Sequence, residues 1–363
     1  MQKIKSVYIH IPFCNSICSY CDFCKVVYNH DWVMPYIKKL SQEIENCYLG
    51  EEIETLYIGG GTPSCLSFVE LEELFKVINK FNLSQNVEFT FECNICDLEE
   101  DKLKLLFKNN VNRLSVGIES FNSEKLKFMN RECDFKDVKK KIALARTIGF
   151  NNINLDLMYA IPKETNKVLK KDLKKILKLK PEHVSTYSLI IEQNTLVGLN
   201  KVKPIEEERD SKMYDIICKK LKSKGYIHYE ISNFAKKGYE SKHNLTYWNN
   251  EEYYGFGCGA SGYVEAIRYE NTKSLTEYLK GNYVSSRALM NKVDNMENEL
   301  ILGFRKLEGI NLEHFYDKFE ENLQNIFPIK PLVKSGDLIY KNGYIFVNPK
   351  KLYIMNEILI KLI

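Results

Sequence analysis

The stretch His10-Ile11-Pro12-Phe13-Cys14-Asn15-Ser16-Ile17-Cys18-Ser19-Tyr20-Cys21 decides how the rest of the chain is read. It follows a short apolar run, Ser6–Ile11, and spaces three cysteines as C-x3-C-x2-C on one tight loop. Three thiolates hold three irons of a cubic [4Fe–4S] cluster and leave the fourth iron without a protein ligand, whereas a cluster with a full protein shell takes four cysteines. An open iron can chelate a small molecule through amino and carboxylate groups, which turns the cluster from a relay into a reactant. Zinc is the competing reading, because Cys24 stands at C-x2-C after Cys21. Structural zinc favours two ligand pairs separated by a longer loop, and four thiols in one short arc fit that poorly.

The chain has 363 residues and 11 cysteines, an odd number with no secretory signal in front of it. That argues against a disulfide framework and for a reducing, cytoplasmic setting. Cys47, Cys65, Cys133, Cys218 and Cys258 are expected as small apolar core residues. Cys93 and Cys96 repeat the C-x2-C spacing, but nothing nearby completes a metal site. The 52 basic residues against 48 acidic ones leave a net charge of +4, too balanced to argue for nucleic-acid binding by charge. No apolar run is long enough to span a bilayer. The length suits one large domain and a small one.

The first two thirds alternate strand and helix. Strands are expected at Ser6–Ile11, Thr55–Ile58, Asn86–Glu92, Arg113–Gly117, Asn152–Met158 and His183–Ile190, mostly apolar runs with polar or glycine-rich ends, as in strands buried on both faces. Helices are expected at Trp32–Asn46, Phe68–Phe81, Glu99–Asn109, Lys136–Ile148 and Thr165–Leu179. In the last, Leu169, Leu173, Ile176 and Leu177 form one apolar stripe and lysines crowd the other faces, which reads as a solvated helix. Repeated β–α units imply parallel strands joined by right-handed crossovers. The fold class is therefore α/β, a partial (β/α)6 barrel, with chemistry gathered at the carboxyl ends of its strands. The expected division is a core barrel over residues 1–235, a Tyr- and Gly-rich extension over 236–285 and a small winged-helix-like domain over 286–363. In that last part, helices are expected at Met296–Phe304 and Leu312–Phe319, then a hairpin over Leu338–Val347 turning at Lys341-Asn342-Gly343.

Other motifs also follow strands. Gly59-Gly60-Gly61-Thr62-Pro63 lets backbone approach a ligand without a Cβ in the way and adds a hydroxyl. Glu92 ends the third strand, where a carboxylate needs polar partners or water and can accept from a ribose. Glu119 follows the fourth strand and is a second candidate for ribose hydroxyls. Arg131 offers a planar fork for a carboxylate. Asp156 sits between Leu155 and Leu157 and needs a partner.

With these pieces in place, the chain resembles the oxygen-independent coproporphyrinogen III oxidase group of radical S-adenosylmethionine (SAM) proteins, and within it the heme chaperone branch. The runs that carry the resemblance are YIHIPFCNSICSYCDF, YIGGGTPS, RLSVGIESF, INLDLMYAIP, YSLIIE and YEISNFAKKGYESKHNLTYWNN. The resemblance implies that Cys14, Cys18 and Cys21 ligate the cluster. It also implies that Tyr8, Tyr20, Gly60, Gly61, Thr62, Glu92, Glu119, Arg131, Asp156 and Ile190 line a SAM pocket. His243 lies in a run typical of the chaperone branch, so it is a candidate heme contact, with structural packing as the equal alternative.

Two features separate the chain from the oxidases. Their further cysteine at C-x-C after the third ligand is missing, since Asp22-Phe23 follow Cys21. Their N-terminal segment is also expected to be missing, because this chain starts five residues before its first strand. The chain departs from the chaperone branch too: Glu119 replaces a usual Gln, Ala160-Ile161-Pro162 replaces Gly-Leu-Pro, Ser261-Gly262 replaces His-Ser, and Cys24 is an unexpected thiol. The implied function is heme binding and delivery to an acceptor protein, with a [4Fe–4S] cluster, SAM and an electron donor. The alternative is oxidative decarboxylation of a porphyrinogen or another radical reaction on a tetrapyrrole. A homodimer and a peripheral membrane contact are both compatible with the sequence.

Overall fold

The structure, a computed structural model, describes residues 3–363. Its frame is six parallel strands laid side by side in chain order: β1 (Ser6–Ile11), β2 (Glu52–Gly60), β3 (Asn82–Asn94), β4 (Arg113–Glu119), β5 (Asn152–Tyr159) and β6 (His183–Ser188). Helices His30–Cys47, Phe68–Ile78, Glu100–Lys108, Phe135–Ile148 and Asn166–Lys178 make the crossovers. This is the expected partial (β/α)6 barrel. β1 and β4 are buried almost throughout, as strands covered on both faces must be.

The sheet does not stop at six strands. Tyr254–Phe256 pairs in parallel with the free side of β1, and Asn233–Ala235 followed by Ile227–Glu230 extends β6 in antiparallel fashion. The segment expected as a separate extension thus supplies an edge of the barrel sheet. Its remaining strands, Ser261–Val264, Ile267–Asn271 and Val284–Leu289, form a three-stranded antiparallel sheet whose last strand runs across position 285. The C-terminal part packs helices Lys292–Gly303, Leu312–Phe319 and Ile329–Lys334 against a small sheet of Ile310–Asn311, Tyr344–Val347 and Leu338–Lys341. Asn342 and Gly343 both take positive φ (53° and 79°), which a two-residue hairpin turn of this hand requires.

The lysine-rich helix behaves as its pattern dictates. Leu169, Leu173 and Ile176 are buried, while Lys170, Lys171, Lys174 and Lys178 face outward. Its one acid, Asp172, points inward to a buried ion cluster. There Lys125 Nζ lies 2.7 Å from Glu164 Oε1 and 3.2 Å from Asp172 Oδ2, and it donates to the Met158 carbonyl at 2.8 Å. Asp172 also accepts from Ser120 Oγ (2.6 Å) and from the Phe121 amide (3.0 Å). The cluster clamps the segment after β4 to the end of β5.

One expectation needs correction. Cys47 is exposed at the end of its helix rather than buried. Ala160, after β5, is held at φ 61°, a left-handed conformation that costs a residue with a Cβ roughly 1–2 kcal/mol.

Removing Lys125 leaves two buried carboxylates without a countercharge. Lys125→Met is expected to destabilise the fold by about 3–5 kcal/mol, read from urea unfolding beside the parent chain. A loss below about 1 kcal/mol, the size of an exposed pair, would show that the clamp is not structural.

Candidate active site

The three cysteines follow β1 on a loop fastened along its length. The Ser19 amide donates to the Met129 carbonyl (3.1 Å) and Ser19 Oγ to the Phe128 carbonyl (2.7 Å). Asn130 Nδ2 reaches the Ile17 carbonyl at 2.9 Å. On the far side the Val26 amide returns to the Pro12 carbonyl (2.7 Å) and the Tyr28 amide to that of Cys14 (2.8 Å). Glu70, which closes the capping box of helix Phe68–Ile78 with Ser67, then accepts from Tyr28 Oη at 3.0 Å and contacts His30 Nδ1 at 2.8 Å. The loop is thereby held rigid, with the short parallel pair of Phe13–Cys14 and Val26–Val27 closing its base.

Cys14, Cys18 and Cys21 open onto one cavity of about 700 Å³ at the carboxyl ends of the strands. Burial pushes the Cys14 thiol up to about 11 and raises that of Cys21. Thr62 Oγ1 donates to Cys14 Sγ at 3.5 Å and Arg131 Nη1 to Cys18 Sγ at 3.4 Å, so polar hydrogens already face two of the sulfurs. Among the described residues, no three His, Cys, Asp or Glu side chains converge on a single-ion position. A cubic cluster needs one thiolate at each of three corners, which calls for three thiols on one wall. Cys24, the fourth thiol of the zinc alternative, instead lies 3.8 Å from Cys258 Sγ.

The same cavity is lined by Tyr20, Gly60, Gly61, Thr62, Glu92, Glu119, Arg131, Asp156 and Ile190. Glu92 is fixed by Tyr57 Oη (2.6 Å) and the Gly60 amide (3.0 Å), and burial raises its carboxyl above the usual range. The glycine run has an internal reason beyond ligand access. Gly60 is at φ 113°, and a Cβ there would meet the His10 ring at 2.6 Å.

Glu119 is at φ 63° where the register slips between β4 and β5, an unusual conformation for a residue with a side chain. Its Oε1 lies 3.7 Å from Arg131 Nη1, and its buried Oε2 has no partner. Arg131 is positioned through the Gly117 carbonyl at 2.7 Å. Asp156 accepts from Asn154 Nδ2 at 2.8 Å. Burial, then the nearby Glu119, pushes the Asp156 carboxyl up to about 7. A buried acceptor without a donor, beside a guanidinium and facing a cavity, is a place for ligand hydroxyls. Three thiols on one wall and this orphaned oxygen on another fit a cluster and a nucleoside.

Tyr8 and His243 lie elsewhere. Both line a second cavity of about 520 Å³, which shares Asp22, Phe23 and Glu92 with the first. Tyr8 Oη is 3.0 Å from His10 Nδ1, and Tyr8 lines this second cavity beside the shared Glu92. His243, the candidate heme contact, is placed in this second cavity with close protein partners. Its Nδ1 is 2.8 Å from Thr55 Oγ1 and its Nε2 is 2.8 Å from Tyr247 Oη, so both ring nitrogens are engaged. Burial lowers its pKa to about 3 and keeps the ring neutral. Helix Lys242–Trp248 is held down by Glu88, which accepts from the amides of Lys242 and His243 at 3.1 Å, and by a 2.8 Å bond between Ser6 Oγ and Thr246 Oγ1. Glu88 shares a face of β3 with Glu92, so this helix plugs the barrel below the site.

Sequence reasoning missed several lining residues. Tyr187 follows from strand alternation in β6. Tyr214, Arg305, Tyr353 and Asn356 come from distant helices and the C-terminal domain, and no local pattern marks them.

Comparison with known proteins gives the family. Residues 8–176 match the radical SAM superfamily and residues 290–352 match the HemN C-terminal domain. A protein of Lactococcus lactis named heme chaperone HemW is 41% identical, covering 90% of this chain and 88% of the relative. The Bacillus subtilis protein of the same name is 38% identical with 98% of each covered, and the Escherichia coli one is 35% identical with 84% and 83% covered. The solved structure of coproporphyrinogen III oxidase (HemN) from Escherichia coli, described as a radical SAM enzyme, superposes with a TM-score of 0.86. It covers 99% of this chain and 90% of that one at 22% identity, a likeness of fold. Membership of the superfamily implies a [4Fe–4S] cluster and SAM. No helix among the described residues is long and apolar enough to cross a membrane. On identity and coverage together, the chain belongs to the HemW family of radical SAM proteins.

Proposed function

We propose that this protein is a cytoplasmic heme chaperone that binds heme and passes it to an acceptor protein while holding a [4Fe–4S] cluster and SAM in its main cavity. The observation that carries the reading is near-full-length identity to proteins named heme chaperone HemW, joined to an intact three-thiol loop. Cys14, Cys18 and Cys21 would hold the cluster. When bound, cluster and SAM together supply one-electron chemistry at the sulfonium, fed by an external electron donor. Thr62 and Arg131 direct hydrogen bonds at the Cys14 and Cys18 sulfurs and would offset part of the thiolate charge when a cluster is held. Arg131 also suits the SAM carboxylate. Glu119 accepts from ribose through its orphaned oxygen, and Glu92 and Asp156 complete the acidic wall.

The experiment is anaerobic reconstitution followed by heme titration with and without SAM, then transfer to an apo-acceptor. The parent chain is expected to hold about four irons and to bind heme. Cys14→Ser, Cys18→Ser and Cys21→Ser each lose the cluster, while Cys24→Ser keeps it. Robust conversion of coproporphyrinogen III to protoporphyrinogen, or absence of heme binding, overturns the chaperone reading.

SAM affinity tests Glu119. Removing one charged acceptor by Glu119→Ala is expected to weaken SAM binding by about 1.5–3 kcal/mol, roughly 10- to 150-fold in Kd. Glu119→Gln keeps an acceptor and stays within several-fold of the parent. Equal affinity in all three proteins rules the contact out.

The acidic wall also sets a pH dependence. Asp156 has a folded pKa of about 7 against an ordinary 3.8, so the folded state keeps a proton that the unfolded state releases. Its contribution to stability is complete below about pH 4 and is lost as pH rises through about 7. In cluster-free protein, Asp156→Asn is expected to gain melting temperature over the parent at pH 8 relative to pH 5. An equal difference at both values shows that Asp156 is ionised throughout.

A further inference from the structure

Cys24 and Cys258 are 234 positions apart in sequence, yet their sulfurs lie 3.8 Å from each other. Neither belongs to the three-thiol loop. Both are held in place by their surroundings. The Cys24 carbonyl contacts His10 Nε2 at 2.7 Å, and Cys24 Sγ lies 3.5 Å from the Lys273 carbonyl. The Cys258 amide donates to Tyr36 Oη at 3.0 Å, and its thiol donates to the Thr272 carbonyl at 3.1 Å. The turn carrying Cys258 is pressed onto Cys24, since a Cβ on Gly259 (φ 80°) would sit 2.3 Å from Cys24 Cβ. The sulfurs need close only from 3.8 Å to the about 2.0 Å of an S–S bond.

The two thiols are unequal. Cys258 is fully buried, whereas Cys24 is half-buried and lines the second cavity, where a small molecule can reach it. Contact with the Cys258 thiol lowers the pKa of Cys24, and the same contact together with burial raises that of Cys258. That is the arrangement of an attacking and a resolving cysteine.

We propose that Cys24 and Cys258 form a reversible, redox-sensitive disulfide that ties the exit of the cluster loop to the turn after the edge strand Tyr254–Phe256, with a low-molecular-weight disulfide as oxidant. Cys24 thiolate attacks one sulfur of the small disulfide, a mixed disulfide forms, and the first small thiolate leaves and takes a proton. Cys258 gives up its proton, and its sulfur displaces the second small thiolate from Cys24. Two protein thiols are oxidised and one small disulfide is reduced to two thiols. Excess small thiol reverses both steps. Such a bond suits a reducing compartment, where disulfides are transient and serve sensing. It is independent of the heme reading.

The test uses full-length protein with its cluster assembled anaerobically, equilibrated in glutathione buffers from fully reduced to fully oxidised. Samples are acid-quenched, alkylated and mapped by peptide mass spectrometry. The expected result is a cross-linked peptide joining Cys24 and Cys258 that becomes the majority species in oxidised buffer, disappears on return to reduced buffer, and leaves the iron content unchanged. In Cys258→Ser, Cys24 retains a glutathione adduct. In Cys24→Ser, neither adduct nor cross-link forms. No cross-link at any ratio, a cross-link only when iron is lost, or oxidation of Cys258 as fast in Cys24→Ser as in the parent overturns the proposal.

Discussion

Parallel register is the constraint on which the molecule rests. β1 to β6 pair in one direction, so every crossover helix returns the chain to the same end and every strand delivers its carboxyl terminus to one rim. The cysteine loop, the glycine run, Glu92, Glu119 and Asp156 lie far apart in sequence and meet only because of that rule. A slip of one residue in any pairing would turn the inward set outward. Glu92 would then lose Tyr57 and the Gly60 amide, its two donors.

The rim carries a cost that the fold keeps in check without removing. Three carboxylates face one cavity, and burial raises the pKa of each. Tyr57, Asn154 and Arg131 answer part of that charge from the protein side. Glu119 Oε2 is left without a donor, and its backbone is left-handed. Strain and an unmet acceptor at the same residue, facing an opening, mark a site arranged for a ligand more than for stability. Below the rim, around the helix Lys242–Trp248, key side chains are paired. Thr55, Glu88, His243 and Thr246 all find partners, and that layer is structural.

This division explains what could be read from the sequence. Strands buried on both faces announce themselves as apolar runs, so the six barrel strands and their order were legible, as was the Asn342-Gly343 hairpin with its backbone demands. The three-thiol loop was legible because its spacing is chemistry. The edge strand Tyr254–Phe256 was not, because three residues give no periodicity and only the free side of β1 makes a strand of them. Tyr353 and Asn356 were hidden for a similar reason, since they reach the cavity only through docking of the C-terminal domain. For His243 the sequence leaves heme contact and packing equally open, since an imidazole in a distinctive run suits either. The partners that occupy it, Thr55 and Tyr247, become visible only once the helix is seen inside the barrel.

The two cavities can be understood as one interior divided by a wall. Glu92 borders both, fixed from the β2 side by Tyr57 and Gly60, while Asp22 and Phe23 of the cluster loop form the rest of the partition. The loop that carries the thiols therefore faces the main cavity with Cys14, Cys18 and Cys21, and the second with Cys24. A displacement of that loop changes both spaces at once. Its anchors come from three directions: Met129 and Asn130 after β4, Glu70 on the second crossover helix, and the turn at Gly259. The first two are ordinary hydrogen bonds that persist while the fold persists. The third is contact between two thiols, and it is the one anchor whose covalent state can change while every other interaction stays in place.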